Sequence, residues 1–318
     1  MNFFRHLILI LIVLRVACEA TAAEPLRWPS LQPAQRVANV AGAPLLAAAL
    51  AGKRVVAVGD HGVVLLSDDG AHFRQAKAVP VRSMLTSIQF LDARRGYAAG
   101  HDGVLLGTQD GGDSWTLLRV TPGQEQPILS LHFDSSEHGF AVGLYGWAIE
   151  THDGGRSWTE RPIGSGDNAD RHLYHVFASQ RGTLLVAGEA GTVYRSTDGG
   201  ANWNPVAVGG KGSLWHGAAL ADGSLLVCGM RGHLYRSLDD GQTWLALYAG
   251  SSESLTGIAQ QADGSVLVAG MSGTVLRSTD GGATFTLAQR PDREPLTAIL
   301  ATGASSPVLL SLAGLITR

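Results

Sequence analysis

The sequence predicts an all-β protein in which one short sheet is repeated around a closed ring, and three observations carry that prediction. Glycine accounts for 41 of the 318 residues and proline for 12, which is typical of tight turns between short strands. One pattern of strands and turns recurs along the whole chain. Within the repeats, no window has the 3.6-residue hydrophobic periodicity of an amphipathic helix, which excludes helical solenoids.

Each repeat consists of an apolar strand, a G-x-x-G turn, a second strand and a polar turn that ends on an aromatic residue. The clearest copy reads LVAGEAGTVYRSTDGGANW, at residues 185–203. The other five full copies are residues 56–73, 97–115, 140–158, 226–244 and 267–285. A seventh copy, LLSLAGLITR, reaches the C-terminus before its polar turn.

The spacing of the repeats predicts the size of the ring. The second glycine of the G-x-x-G turn stands at positions 62, 103, 146, 191, 232, 273 and 314. Another short strand precedes each turn, for example at residues 85–90 and 128–133. Four strands in about 42 residues is the size of one β-propeller blade. The sequence therefore predicts a single seven-bladed β-propeller with four-stranded blades.

The last repeat lacks its outermost strand, so closure of the ring needs a strand from elsewhere. Residues 23–28, AEPLRW, resemble the segment that follows the polar turn in the other repeats. We expect this N-terminal stretch to pair into blade seven, because closure removes the exposed edges of an open array.

The polar turn reads [ST]-x-D-x-G-x-x-[WF], the Asp-box of BNR repeats. Its carboxylate is expected to accept backbone N–H bonds within its own hairpin, and its aromatic residue to pack between sheets. The aspartates predicted to be structural in this way are Asp69, Asp110, Asp153, Asp198, Asp239 and Asp280. The alternating acidic positions of an EF-hand loop are absent, so the sequence predicts neither a metal site nor a cofactor.

Residues 1–22 have the features of a cleavable signal peptide: a basic start, an apolar run and small residues at Ala20 and Ala22. We therefore expect a periplasmic protein whose propeller occupies residues 23–318, with a retained anchor as the alternative. A lipid anchor on Cys18 is disfavoured because Arg15 stands where an aliphatic residue is needed. Cleavage would leave Cys228 alone, so we expect no intramolecular disulfide. We also expect a monomer that does not itself span the membrane after cleavage.

Charge excludes one class of partner. The formal net charge is −3 and charged residues make up only 16% of the chain. Nucleic-acid binding usually needs a basic face, so no nucleic-acid partner is predicted.

Two aromatic–histidine pairs suggest a first candidate site. Tyr174-His175 and Trp215-His216 fall at one position of the innermost strands in adjacent blades, where the other blades carry mostly small residues. They should therefore meet near the central channel, either as a ligand mouth or as side chains that fill the channel. The candidate binding residues are Arg171, Tyr174, His175, Lys211, Trp215 and His216.

A second candidate site is an arc of arginines spaced by 41 residues, Arg195, Arg236, Arg277 and Arg318. Their stems could cover aromatic rings while their heads meet carboxylates of the same chain. The alternative is a surface for an anionic partner. Glu150 interrupts the arc in the preceding blade.

Seven repeats of the turn, G-x-x-G in six and S-x-x-G at residues 311–314, resemble those of the photosystem II assembly and stability factor family of plastids and cyanobacteria. Six of the seven continue into a polar turn of the T/S-x-D-G-G-x-x-W type. The resemblance covers nearly all of residues 24–318 and implies a non-enzymatic scaffold that holds a membrane subunit through an arginine-rich surface. Relatives also occur in bacteria without photosynthesis. The resemblance therefore implies a membrane or envelope protein as partner, a transporter component being one candidate.

Two other functions compete with a scaffold. Sialidases also use Asp-box propellers, but they have six blades, an arginine triad, a tyrosine nucleophile and an early F-R-I-P-type motif. The segment Glu160-Arg161-Pro162-Ile163 does not match that motif in order or position, so the sequence favours a non-enzymatic protein. A glycan-binding propeller that stacks sugars on Trp215 and Tyr174 is the other alternative.

Overall fold

The chain folds into a ring of seven antiparallel sheets, which confirms the predicted seven-bladed β-propeller. The computed structural model describes residues 28–124, 126–303 and 306–316. Over these ranges, strands β1 to β27 form six four-stranded sheets and one three-stranded sheet. Every sheet is a meander in which consecutive strands are neighbours. The predicted signal peptide and Cys18 lie outside the described residues.

The strands occupy corresponding positions in successive blades. The first strands are β1 Leu45–Ala51, β5 Leu85–Phe90, β9 Ile128–Phe133, β13 Leu173–Ala178, β17 Leu214–Ala219, β21 Leu255–Gln260 and β25 Leu296–Leu300. The second strands are β2 Arg54–Gly59, β6 Gly96–Gly100, β10 Gly139–Gly143, β14 Leu184–Gly188, β18 Leu225–Gly229, β22 Val266–Gly270 and β26 Val308–Ser311. The third strands are β3 Val64–Ser67, β7 Leu105–Thr108, β11 Ala148–Thr151, β15 Thr192–Ser196, β19 Leu234–Ser237, β23 Thr274–Ser278 and β27 Gly314–Ile316. The outer strands are β4 Arg74–Gln75, β8 Thr116–Arg119, β12 Thr159–Glu160, β16 Asn204–Ala207, β20 Leu245–Ala246 and β24 Thr286–Gln289.

The first strands surround the central channel, since each packs against the first strand of the next blade and β25 packs against β1. The second strands are sandwiched between blades and read as continuous apolar runs, fully buried in β14, β18 and β22. Cys228 lies within β18 and is completely buried, and burial raises the pKa of its thiol. Asp-box tryptophans fill the gaps between sheets. The Trp203 ring meets Phe140 of the preceding blade edge-on, with centroids 5.8 Å apart.

The ring is closed by the segment that leads into blade one. The Leu315 N–H of blade seven donates to the Ala41 carbonyl at 2.8 Å. Gly314 has φ 114°, and a Cβ there would lie 1.9 Å from the Ala41 oxygen. In blade one, a Cβ on Gly62 would lie 2.0 Å from the Val81 oxygen of the following link. The turn of blade seven therefore packs against the segment before blade one in the same way that the turn of blade one packs against the link that follows it.

The prediction that residues 23–28 supply the outermost strand of blade seven falls almost entirely outside the described residues. Blade seven has three strands among the residues described. Of the stretch 23–28, only Trp28 is described, and its ring lies over Gly123 in the connection between blades two and three. Residues 23–27 lie outside the described ranges. Within those ranges, residues 41–45 make the contacts that close the ring.

The connections divide the ring into two faces, which we call the link face and the Asp-box face. The link face holds the G-x-x-G turns and the links between blades, which pack against each other. The Asp-box face holds the Asp-boxes and the turns between the first and second strands; there, for example, the Gly154 N–H donates to the Glu137 carbonyl at 2.8 Å. In the portion of the chain covered by the structure, the helical segments are all too short or too polar to cross a membrane.

Candidate functional site

A β-bulge shapes the channel mouth on the link face. In every blade the pairing between the first and second strands skips the second residue of the first strand. A bulged residue leaves the ladder, and its side chain is re-aimed. The seven bulged residues are Leu46, Thr86, Leu129, Tyr174, Trp215, Thr256 and Thr297. The sequence did not reveal this bulge, because it depends on the pairing register rather than on one residue's preference.

Where the bulged residue is threonine, its hydroxyl ties one blade to the next. In each case the Oγ1 atom donates to the carbonyl of the residue that begins the first strand of the following blade. The three bonds are Thr86 to Ile128 at 2.6 Å, Thr256 to Leu296 at 2.8 Å and Thr297 to Leu45 at 2.7 Å. The last of these crosses the closure of the ring.

In blades two and three, the next residue along the first strand also makes a hydrogen bond to the following blade. The Leu131 N–H donates to Ser87 Oγ at 3.1 Å, and the Val176 N–H donates to Ser130 Oγ at 3.1 Å. Small polar residues at these two positions are therefore part of the scaffold. These hydrogen bonds explain why most other blades have small polar residues at the positions that Tyr174-His175 and Trp215-His216 occupy in blades four and five.

The structure brings His175 and His216 together in the channel wall. Their rings stack with centroids 4.0 Å apart and an interplanar angle of 23°. His175 keeps the tie between blades, since its Nδ1 accepts a hydrogen bond from the Gly217 N–H at 3.2 Å. His216 Nδ1 is buried without a hydrogen-bond partner.

Both histidines are held neutral by their surroundings. Burial lowers the pKa of His216 to about 4. Burial, with smaller contributions from His216 and His132, lowers the pKa of His175 well below its usual value. The one group of three potential metal ligands found in the described chain lies elsewhere, on blade three. The channel pair is therefore a neutral polar wall.

An aromatic row leads from this wall to the link face. Tyr145, in the G-x-x-G turn of blade three, has φ 55° and is 61% exposed. Its N–H donates to His172 Nδ1 at 2.9 Å, and its ring meets the His172 ring edge-on at 4.8 Å. His172 in turn meets Tyr174 edge-on at 6.0 Å. We call Tyr145, His172, Tyr174 and Trp215 the aromatic mouth.

Two of the predicted cations flank the aromatic mouth. Arg171 donates through Nη1 to Thr192 Oγ1 at 2.6 Å and is half-buried, whereas Lys211 is exposed on the link between blades four and five. The Tyr174 hydroxyl is hydrogen-bonded to Ser213, and burial raises its pKa. The mouth thus combines large aromatic surface, hydrogen-bonding groups and positive charge on a rigid ring.

The arginine arc is largely engaged within the chain. Arg195 Nη2 lies 3.0 Å from Asp240 Oδ2, and its Nε donates to the Asp240 carbonyl at 2.7 Å. Arg236 Nη2 lies 2.7 Å from Asp222 Oδ2. Arg277 is exposed. The pKa of Asp263 is lowered mainly by hydrogen bonds from Ser265, and the Arg277 charge adds a smaller contribution. Arg318 lies outside the described residues. Two of the four heads therefore meet carboxylates of their own protein.

The Asp-box carboxylates bind their own hairpins. Asp153 Oδ1 accepts from the Thr151 hydroxyl at 2.9 Å and from the Ser157 N–H at 2.8 Å. The Ser157 hydroxyl, which donates to Asp153 Oδ2 at 2.6 Å, and the Ser157 N–H lower the pKa of Asp153 to about 2. The hydroxyl contact recurs at 2.6 to 3.0 Å in Asp69, Asp110, Asp198, Asp239 and Asp280.

A groove of about 750 Å³ on the Asp-box face bears on the glycosidase alternative. It is lined by Arg94, Arg95, Arg156, Tyr97 and the hairpin-bound Asp110 and Asp153. Tyr97 stacks flat on Phe133, with centroids 3.7 Å apart, and burial raises its pKa. A tyrosine nucleophile is activated by a lowered pKa, which is the opposite of the shift of Tyr97.

Comparison with known proteins now adds to this geometry. Residues 114–267 match the family described as photosynthesis system II assembly factor YCF48. The match covers just under half of the chain, which is similar to that family in these residues. The solved structure of YCF48 bound to D1 peptide is 20% identical, with a TM-score of 0.70, over 90% of this chain and 100% of that one.

Other solved propellers share the same architecture. YCF48 from Cyanidioschyzon merolae is 17% identical, with a TM-score of 0.67, over 88% of this chain and 97% of that one. The WD40 propeller domain of Doa1 is 13% identical, with a TM-score of 0.69, over 91% and 95%. No curated protein sequence matches the chain. At these identities the solved structures show only the propeller fold that this chain shares with them.

Proposed function

We propose that this protein is a non-enzymatic periplasmic scaffold that assists the assembly of a membrane or envelope protein complex, and that it binds its partner through the aromatic mouth. The observation that carries the proposal is the mouth itself. Tyrosine, tryptophan and arginine are the residues most enriched in the energetic centres of protein interfaces. Loops on one face of a rigid scaffold are the usual place for recognition.

The chemistry of the mouth indicates what it would bind. Aromatic rings offer flat apolar contact, and Arg171 and Lys211 add positive charge at the rim. This combination suits an extended protein segment that carries an apolar side chain and a carboxylate. A related propeller solved with a D1 peptide supports recognition of a protein segment. The partner of this chain is proposed to be a different envelope protein, a transporter component being one candidate.

The arginine arc is a weaker surface for the same role. Arg195 and Arg236 would have to leave Asp240 and Asp222 before they could bind a partner's carboxylates. Breaking such partly buried pairs costs free energy that an incoming partner must offset. The mouth requires no such exchange.

Delivery to the periplasm rests on residues 1–22, and it can be tested separately. A reporter enzyme that is active only after export, fused behind residue 22, should be active in cells. The same fusion without residues 1–22 should be inactive. Equal activity of the two fusions would contradict the proposed location.

The binding proposal is tested by crosslinking cells that carry the tagged protein and identifying the captured envelope proteins. The critical variant is the double change Tyr174→Thr and Trp215→Thr, which gives blades four and five the residue found in blades two, six and seven. We expect a loss of at least about tenfold in capture of the enriched partner. A matched control is Tyr248→Ser, which removes a ring that is 86% exposed on the outer edge of blade five.

The control should capture the partner as the unchanged protein does. Equal capture by the double variant, with the fold intact by circular dichroism, would contradict a binding role for the mouth. The glycan-binding alternative rests on the same two rings. Retention on a glycan array, lost in the double variant, would support that alternative instead.

A further inference from the structure

A cluster of two histidines and a glutamate lies on the Asp-box face of blade three, away from the aromatic mouth. Glu150 is in β11, His152 follows that strand at the start of the Asp-box, and His138 precedes β10. His138 Nε2 lies 3.0 Å from Glu150 Oε1, and His152 Nε2 lies 3.2 Å from the same oxygen. All three potential ligand atoms lie within 4.8 Å of one another.

The spacing of these atoms fits a tetrahedral divalent ion. Zinc binds histidine nitrogens and carboxylate oxygens at about 2.0–2.2 Å, which separates neighbouring ligand atoms by about 3.3 Å. The two nitrogen–oxygen distances in the cluster are already close to that value. Two histidines with one glutamate also form a known set of three protein ligands for zinc, with a fourth position open to water.

The surroundings of the three ligands resemble the outer shell of a metal site. His138 Nδ1 lies 2.7 Å from Asp134 Oδ2, and a metal-binding histidine usually donates its second N–H to such a carboxylate. Glu150 is almost completely buried, and its other oxygen lies 2.6 Å from Arg161 Nε. Oε1 is thereby left to face the two imidazoles. His152 remains 67% exposed, which gives an ion a route from solvent.

The hydrogen-bond balance also calls for a cation at this point. A neutral His138 that gives its one N–H proton to Asp134 turns a lone pair of Nε2 toward the lone pairs of Glu150 Oε1. That approach is repulsive unless a proton or a metal ion lies between the two atoms. The rings of His138 and His152 also stack, with centroids 4.9 Å apart. One metal ion bound by two neutral rings satisfies both contacts. Without an ion, His138 must carry a proton on both nitrogens while a neutral His152 donates its Nε2–H to Glu150.

In blade three, Glu150 occupies the position that an arginine occupies in the following blades. Arg195 and Arg236 sit where Glu150 sits, and each pairs with a carboxylate on the Asp-box face. Blade three reverses the charge and adds two imidazoles. We propose that His138, Glu150 and His152 bind a borderline divalent transition-metal ion, zinc being the natural occupant, and that Asp134 orients His138.

The proposal is tested by calorimetric titration of the tag-free, chelator-treated protein with zinc chloride, and by visible absorption after addition of cobalt(II). We expect one ion per chain and the d–d bands of a tetrahedral cobalt site. His152→Ala, which changes an exposed side chain, should weaken binding at least about tenfold, and Glu150→Gln should weaken it further. Asp134→Asn should cost about 10- to 100-fold in affinity, as other carboxylates behind a ligand do.

The matched control is His72→Ala. His72 is an exposed histidine of the blade-one Asp-box that contacts Asp69 without a second imidazole. It should leave the affinity unchanged, and each variant's fold is checked by its metal-free melting curve. Absence of binding, or binding that His152→Ala and Glu150→Gln leave unchanged, would overturn the proposal and make the cluster an ion-pair network only.

Discussion

The blades with threonine at the bulge and the blades with aromatics there use one backbone position for two purposes. In blades two, six and seven the bulged side chain is short, and its hydroxyl joins the next blade. In blades four and five the same position carries Tyr174 and Trp215, followed by the stacked pair His175 and His216. The difference indicates that the regular ties are sufficient to hold the ring, so that two adjacent blades can present large side chains at the mouth.

The largest expected difference between the two groups of blades is in how the free energy of unfolding depends on pH. Only the blades with aromatic residues at the bulge bury histidines at the position that joins neighbouring blades. The folded-state pKa of His216 is about 4, whereas an unfolded imidazole titrates near 6.5. The folded protein therefore binds fewer protons between these values, and the free energy of unfolding falls as the pH drops through this window. The shift of His216 alone corresponds to about 3 kcal/mol.

The measurement is urea unfolding at about pH 7 and about pH 4 for the double variant His175→Ser and His216→Ser. Serine is the residue that makes the tie in blades two and three. Because His175 contributes in the same direction, the variant should lose less than the unchanged protein between the two pH values by about 3 kcal/mol or more. His101→Ser, an exposed control on the link face, should change nothing. An unchanged loss in the double variant would show that these histidines are not buried as neutral rings.

A second experiment acts on the regular blades. Thr297→Val keeps the size of the side chain but removes the hydroxyl that donates to Leu45 across the closure of the ring. Leaving a carbonyl without its partner should lower the free energy of unfolding by about 2 kcal/mol. Thr286→Val, on an exposed outer strand, is the control and should cost less than about 0.5 kcal/mol. Equal effects would mean that the threonine tie contributes nothing to closure.

A third and smaller effect is expected in the arginine arc. Arg195→Met removes the partner of Asp240, which is itself buried and bonded to Thr183 at 2.5 Å, and should cost about 1.5 kcal/mol. Arg277→Met changes an exposed head and should cost less than about 0.5 kcal/mol. Chemical unfolding of both variants decides the point. A larger loss for Arg277→Met would reverse our view of which arginines are structural.

The sequence was sufficient for the architecture because the relevant signals are local and repeated. The spacing of Gly62 and its counterparts predicted seven blades, and the Asp-box pattern predicted where the polar turns lie. The sequence also placed His175 beside His216, since equal positions in adjacent blades must be neighbours.

The rest depends on contacts between segments that are distant in the chain. The bulge that re-aims Tyr174 and Trp215 is a property of pairing register. The approach of Tyr145 to His172 joins a turn of blade three to the start of blade four across a variable link. Likewise, Glu150 appeared in the sequence only as an interruption of the arc, because His138 reaches it through the fold. The strand expected from residues 23–28 stays a prediction, since residues 23–27 lie outside the described ranges.

The central claim is that the partner binds at the aromatic mouth, and site-specific photo-crosslinking tests it most directly. A photoreactive amino acid is placed at Lys211, beside the mouth, and in a second protein at Tyr248, on the outer edge; both positions are exposed. After illumination of living cells, we predict a covalent adduct with an envelope protein from position 211 and none from position 248. Adducts from position 248 alone, or from neither position, would contradict the account.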